Sequence, residues 1–257
     1  MDEWFYRFDL LALYAAAIIL IAGGAEFGNW IGLRSFRAGA EKADVSTLAS
    51  AALGLLALLI AFSFSMALSR YERRRDMVLE EANAIGSTAN FTLMLPPSAQ
   101  RPILSLLREY TAVRVALGVP YDSQKMKKDI ARSLDIQARL WQQAAAVATA
   151  EPQSLPAYLF VSSLNEINNI HEKRLTALRN HVPVVVVLML IGSAMVAMGF
   201  TGYNAGVTGA QRHLAGLIMS IMVAALIVLV IDLDRPYRGL IQVSPQALVD
   251  AIKGFGP

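Results

Sequence analysis

Long uncharged stretches occupy both ends of the chain, and a polar block separates them. Reading from charge to charge, the apolar runs are Leu10 to Ala25, Val45 to Ser69, Val182 to Gln211 and Leu214 to Ile231, and the polar block covers residues 69–180. A helix rises about 1.5 Å per residue and a bilayer core is about 30 Å thick, so roughly 20 apolar residues are needed to span it. The second and third runs exceed that and the fourth just reaches it. The first falls short at 16 residues unless Glu26 is carried through to Leu33. The pattern predicts an all-α integral membrane protein with four transmembrane helices and a central cytoplasmic helical domain inserted between the second and third spans. Its expected parts are a first transmembrane pair (1–68), the helical domain (69–180), a second transmembrane pair (181–232) and a cytoplasmic C-terminal tail (233–257).

The polar block also reads as helix throughout. After the second span no Pro or helix-stopping cluster occurs before Leu95-Pro96-Pro97, so one helix can run from about Leu48 to Met94, close to 70 Å at the standard rise. Val78, Ala82, Ile85, Ala89 and Leu93 recur along it every three or four residues, a stripe suited to packing against other helices. A second helix, about Ala99 to Leu117, carries Ile103, Leu107 and Tyr110 and stops at Gly118 before Pro120. The third starts with Asp122 or Ser123 as N-cap, repeats Met126, Ile130, Leu134 and Trp141, and stops before Pro152. The fourth, from about Leu155, carries Phe160, Leu164, Ile167, Leu175 and Leu178 and leads to His181-Val182-Pro183. No alternating strand pattern competes.

Composition and charge sharpen the class. Hydrophobic residues make up 55% of the 257 residues and charged ones 17%, with a mean hydropathy of +0.45; this is too apolar for an ordinary soluble protein. The net charge of +3 and pI near 9.2 would hint at nucleic acid in a soluble chain. Here the basic residues gather beside the apolar runs, where anionic headgroups and the positive-inside rule account for them, so no nucleic-acid partner is expected. There is no cysteine, which removes disulfides, thiolate metal sites and a cysteine nucleophile. With four spans, one side carries Arg7, Arg70, Arg73, Arg74, Arg75, Lys173, Arg174, Arg179, Arg235 and Arg238, and the other Arg34, Arg37, Lys42 and Arg212. Ten against four puts both termini and the polar block in the cytoplasm, and the connections Arg34 to Asp44 and Gly202 to Gln211 outside.

Two stretches carry a likeness beyond their physics. The first is Phe62-Ser63-Phe64-Ser65-Met66-Ala67-Leu68-Ser69-Arg70-Tyr71, continuing through Arg73-Arg74-Arg75 to Glu81-Ala82-Asn83-Ala84-Ile85-Gly86. The second is Asp232-Leu233-Asp234-Arg235-Pro236-Tyr237-Arg238-Gly239-Leu240-Ile241 with Val243-Ser244. Together with the span layout they resemble the bacterial bestrophin-like membrane proteins. The resemblance implies a bacterial inner (cell) membrane location and a homo-oligomer, pentameric as in bestrophins. It also implies a central anion-conducting pore lined by the second span, with small inorganic ions and the lipid bilayer as partners.

Candidate residues each admit two readings. Ser50, Gly54, Ala57, Ala61 and Ser65 form one stripe of the second span, and short side chains suit either a water-filled lumen or close helix packing. Ile60, Phe64 and Leu68 lie on a neighbouring face, as a hydrophobic constriction able to gate by dewetting or as lipid-facing bulk. Glu26 is the acidic residue embedded in a span, flanked by Gly24, Gly28 and Gly32. It reads as a carboxylate ring at an outer pore mouth or as a headgroup-level glutamate paired with Arg34 or Arg37. Arg70, Arg73 and Arg74, with Asp232 and Asp234, are inner-mouth charges or, for the arginines, topology determinants and lipid anchors. Two carboxylates fall short of a calcium shell of 6 to 8 oxygens, so pairing of Asp232 and Asp234 with those arginines is favoured over a cation.

His171, His181 and His213 lack metal spacing, and His171-Glu172 lacks the second histidine of a zinc helix. No phosphate loop, nucleophile elbow or triad appears, so neither an enzyme nor a cofactor or metal is expected. Lys125, Lys127, Lys128, Arg132 and Arg139 read as a solvated or headgroup-touching basic face. The expectation is a homo-oligomeric ion channel. The alternative is a non-conducting membrane scaffold or sensor that docks a partner on its cytoplasmic helices.

Overall fold

The structure is a computed structural model that describes residues 8–37, 45–117, 122–209, 213–237 and 239–254. The helices are α1 (Leu10–Arg37), α2 (Ser46–Thr92), α3 (Pro97–Ala116), α4 (Ser123–Ala150), α5 (Leu155–Arg179), α6 (Val184–Thr208), α7 (His213–Asp234) and α8 (Gln246–Lys253), with no strand among the described residues. Four stretches, within α1, α2, α6 and α7, are long and apolar enough to cross a membrane. Arg7, Lys42, Arg212 and Arg238 of the orientation count, and the Gly118 and Pro120 stop signals, lie outside the described residues.

Local chemistry sets several helix ends. Asp122 caps α4, its carboxylate accepting from the amides of Gln124 (2.8 Å) and Lys125 (3.3 Å). Ser154 caps α5 by accepting from the Ala157 amide, and Pro183 precedes α6, which ends on Gly209 in the left-handed region (φ +70°). Two expectations change. The Gly202 to Gln211 stretch, expected as a loop, is helical to Thr208 because its glycines pack against α1. Residues 246–253, expected as tail, form α8, whose Leu248 is fully buried.

The described chain forms two compact units. The first comprises residues up to Arg70, His181–Arg235 and Gly239–Ile241; the second comprises Tyr71–Asn180, Pro236–Arg238 and the segment from Gln242. Helix α2 contributes to both.

In the first unit α1 and α6 meet backbone to backbone. A Cβ at Gly24 would stand 2.8 Å from the Met195 carbonyl oxygen. At Gly28, Gly32, Gly202 and Gly206 it would collide with the carbonyls of Gly199, Tyr203, Ala25 and Asn29 respectively. The Gly24, Gly28, Gly32 face read from the sequence is thus a close-packing face, and its partner is α6. Around this contact Ile21, Leu56, Leu190, Met198, Ala224 and Ile227 are buried. Leu11, Ile19, Leu55, Phe62, Leu188 and Leu214 stay exposed, as lipid-facing side chains do.

The second unit buries ordinary side chains. Ile85, Ile103, Leu107, Ile136, Leu140, Phe160, Leu164 and Ile167 are all fully enclosed. Helix α4 turns a different face inward from the one expected: Ile136, Leu140 and Ala144 are buried while Leu134 is 46% exposed. Ser133 and Gln137 share that inward face, and Gln137 reaches the Tyr110 hydroxyl. On α2, Val78, Ala82, Ile85 and Ala89 are buried as expected, but Leu93 is exposed because the helix ends at Thr92.

Candidate functional site

Helix α2 divides its surface in the first unit three ways. Ala49, Leu56, Ser63 and Ala67 face the unit's core, whereas Leu48, Leu55, Leu58, Phe62 and Met66 form an exposed bulky face. Between these lies the small-residue stripe: Ser50, Gly54, Ala57, Ala61 and Ser65 are all exposed, and a Cβ on Gly54 would meet nothing. Phe64 and Leu68 are half-buried at the edges of this stripe, and Ile60 is turned furthest inward, packed against the core.

Glu26 sits on α1 facing α7. Its carboxylate is 2.9 Å from Nδ1 of His213. Of the two readings of Glu26, the one that paired it with Arg34 or Arg37 meets a different partner in His213, and the Arg34 guanidinium stacks over the Trp30 ring at 4.4 Å. Glu26, Asn29, Thr201, Asn204, Thr208 and His213 are the polar members of a mixed lining around a cavity of about 520 Å³ between α1, α6 and α7.

At the other end of α7 both acidic residues are buried and hold backbone. Asp232 accepts from the amides of Leu240 (3.0 Å) and Ile241 (3.1 Å). The chain can approach so closely because Gly239, at φ +143°, leaves no Cβ to strike that carboxylate. Asp234 accepts from the Val182 amide at 2.7 Å, with His181 Nδ1 3.6 Å away. Stapling the segment after α7 and the start of the α6 approach is therefore their observed work, where pairing with arginines had been favoured. Three of the arginines of α2 differ among themselves: Arg73 is exposed, Arg70 half-buried beside Met66, and Arg74 only 3% exposed.

A second constellation was not singled out in the sequence. Glu81, fully buried on α2, accepts from Arg114 Nε of α3 at 2.7 Å and from Arg174 Nη1 of α5. The Tyr110 hydroxyl donates to the same carboxylate at 2.8 Å. Having spent its proton there, the phenol oxygen accepts from Gln137 Nε2 and from His171 Nδ1 at 3.2 Å. That fixes His171 as the Nδ1–H tautomer and leaves its buried Nε2 without a partner. Burial raises the Glu81 pKa, but the charges of Arg114 and Arg174 overcome it and hold the carboxyl at about 2. Burial first, then the Arg114 charge, push His171 down to about 4. The signal was present: Glu81, Arg114 and Arg174 are the charged members of otherwise apolar, inward-facing stripes on α2, α3 and α5. Among the described residues no group of three or more His, Cys, Asp and Glu side chains could hold a metal.

Comparison with known proteins places the chain. The sequence profile of the Bestrophin-like domain matches residues 19–248. The chain belongs to the bestrophin-like family. No functionally curated protein matches it. Among solved structures it is similar to the bacterial bestrophin homolog from Klebsiella pneumoniae, with 13% identity, a TM-score of 0.69, and 96% of this chain and 97% of that one covered. A point mutant of that homolog gives 14% identity, a TM-score of 0.71 and 97% coverage of both chains. A third structure, of a membrane protein variant, gives 13% identity, a TM-score of 0.71 and 96% and 97% coverage. At these identities the likeness establishes the bestrophin-like fold.

Proposed function

We propose that this chain is an ion channel subunit of the bacterial inner membrane, assembled as a homo-oligomer, a pentamer by family resemblance, around an axial path lined by α2. In this reading residues 69–180 form a cytoplasmic domain inserted between the second and third spans, and both termini are cytoplasmic. The observation that carries it is the three-way division of α2. A helix that only anchored the protein would present lipid with bulky side chains all round its free surface. Ser50, Gly54, Ala57, Ala61 and Ser65 instead leave a hydroxyl-dotted, short-sided strip exposed in the single chain, suited to a hydrated lumen. Phe64 and Leu68 at its edges supply the hydrophobic constriction, and Glu26 the charge towards the outer end. Small inorganic ions are the substrates, anions favoured by family resemblance.

The chain has no cysteine, so accessibility can be read without a background. Gly54→Cys and Ala57→Cys should lose flux in liposomes when a charged thiol reagent is added, and Leu58→Cys, on the bulky face, should not. Phe64→Ala should raise flux by opening the constriction. If the wild type and Phe64→Ala carry no flux under any ionic condition or potential, the protein is instead a scaffold whose helical unit docks a partner.

A further inference from the structure

The buried cluster around Glu81 holds one more positive charge than its carboxylate neutralises. Arg114 and Arg174 share the single carboxylate of Glu81, and Tyr110 and His171 complete its surroundings as neutral groups. That leaves one surplus guanidinium charge in a water-poor interior, where an uncompensated charge is strongly destabilising. Nη1 of Arg114 is buried without a partner. Next to this cluster lies a cavity of about 30 Å³, lined by Arg74, Arg174, Tyr237 and Gln242 among apolar side chains including Val115 and Leu178. Among the described residues no carboxylate lines it. The polar side chains that the described residues give its wall are two guanidiniums, a phenol and an amide.

We propose that this cavity binds one small monovalent anion, a halide or nitrate, held by the guanidiniums of Arg174 and Arg74 beside the Tyr237 ring. The volume exceeds the roughly 10–15 Å³ needed for a water-sized occupant and excludes a phosphate ester or nucleotide. The lining selects charge, since guanidinium N–H groups only donate and a neutral water would leave the surplus charge standing. The apolar remainder of the wall strengthens the attraction by lowering the local dielectric. The described residues that line the site all belong to the helical unit, and the site does not depend on whether the protein conducts. Anion occupancy would link the packing of α2, α3 and α5 to the anion content of the medium.

Two measurements on the full-length protein in detergent test the site. Thermal unfolding at fixed ionic strength should show a saturable rise in Tm of a few degrees as chloride or bromide replaces gluconate. Arg174→Gln, which keeps the Glu81–Arg114 pair but removes the surplus charge, should abolish that dependence. Val115→Phe, which fills the cavity and keeps every charge, should abolish it too and guards against misfolding of the arginine variant. Crystals grown in bromide should show an anomalous peak within hydrogen-bonding reach of Arg174. A Tm indifferent to the anion, or a bromide-free cavity holding only water, overturns the proposal.

Discussion

The two units solve the same packing problem with opposite means. In the first, α1 and α6 touch through backbone, with Gly24, Gly28 and Gly32 facing Gly199, Gly202 and Gly206, and the bulky side chains point outward. In the second, Ile103, Leu107, Phe160, Leu164 and Ile167 point inward around a buried ionic cluster. On the proposed arrangement, with the first unit in lipid and the second in water, the solvent explains the contrast. Lipid tails are as apolar as leucine, so helices in a bilayer gain little by burying leucine and associate through close van der Waals contact. In water the gain from burying apolar surface drives association, at roughly 25 cal/mol per Å². That gain is large enough to carry Glu81, Arg114 and Arg174 inside, as long as they remain paired.

The comparison breaks most severely where a charge is orphaned. Glu81→Ala should cost about 3–5 kcal/mol, because it leaves two buried guanidiniums without their carboxylate. Aggregation or loss of the unfolding transition on gel filtration and calorimetry would report it. Packing errors in the first unit come next. Gly28→Ala and Gly202→Ala push a Cβ into a facing carbonyl and should cost about 1–3 kcal/mol, read as a lower Tm in detergent. Gly23→Ala and Gly192→Ala, where a Cβ meets nothing, should be neutral or slightly stabilising through helix propensity.

Acid should open the second unit in two stages. His171 is held at about 4 instead of 6.5, so between those values the unfolded chain binds a proton that the folded one refuses. Stability therefore falls as pH drops from 6.5 to 4. Glu81 is held at about 2 instead of 4.5; its contribution is present above 4.5 and is lost as pH falls through 2. His171→Gln should flatten the upper stage of a Tm-against-pH curve and leave the lower one.

What could be read from the sequence followed from whether its cause was local. Helix starts at Asp122 and after Pro183, the passage of α1 through Glu26, and the glycine face of α1 are all set by residues within a turn or two. The inward face of α4 differs from the expected one because Leu134 and Ile136 are equally apolar and only packing against the other helices of the unit decides between them. The Glu81 cluster joins residues 33 and 93 positions apart, a pairing that no spacing encodes. Asp232 and Asp234 stand out in the sequence as acidic residues closing an apolar run, yet their partners come from the segment after Gly239 and from the Val182 amide. The exposure of the α2 stripe emerged only with the fold, since periodicity alone groups residues without saying which group faces the core.

The smallest effect sharpens the contrast from the solvent side. Glu109 accepts from Arg132 at 3.0 Å and Arg139 at 3.5 Å, and these two arginines of the basic face of α4 are at least half exposed. The chemistry is that of Glu81 with Arg114 and Arg174, one carboxylate between two guanidiniums, but water and salt screen it. Arg132→Ala or Arg139→Ala should change stability by less than about 1 kcal/mol, and by still less at high salt. Glu81→Ala should stay severe at any ionic strength, because its penalty comes from desolvated charge that salt does not reach. Urea titrations of the three variants at low and high salt measure both. If Arg132→Ala proved as costly as Glu81→Ala, burial would not be what separates the two triads.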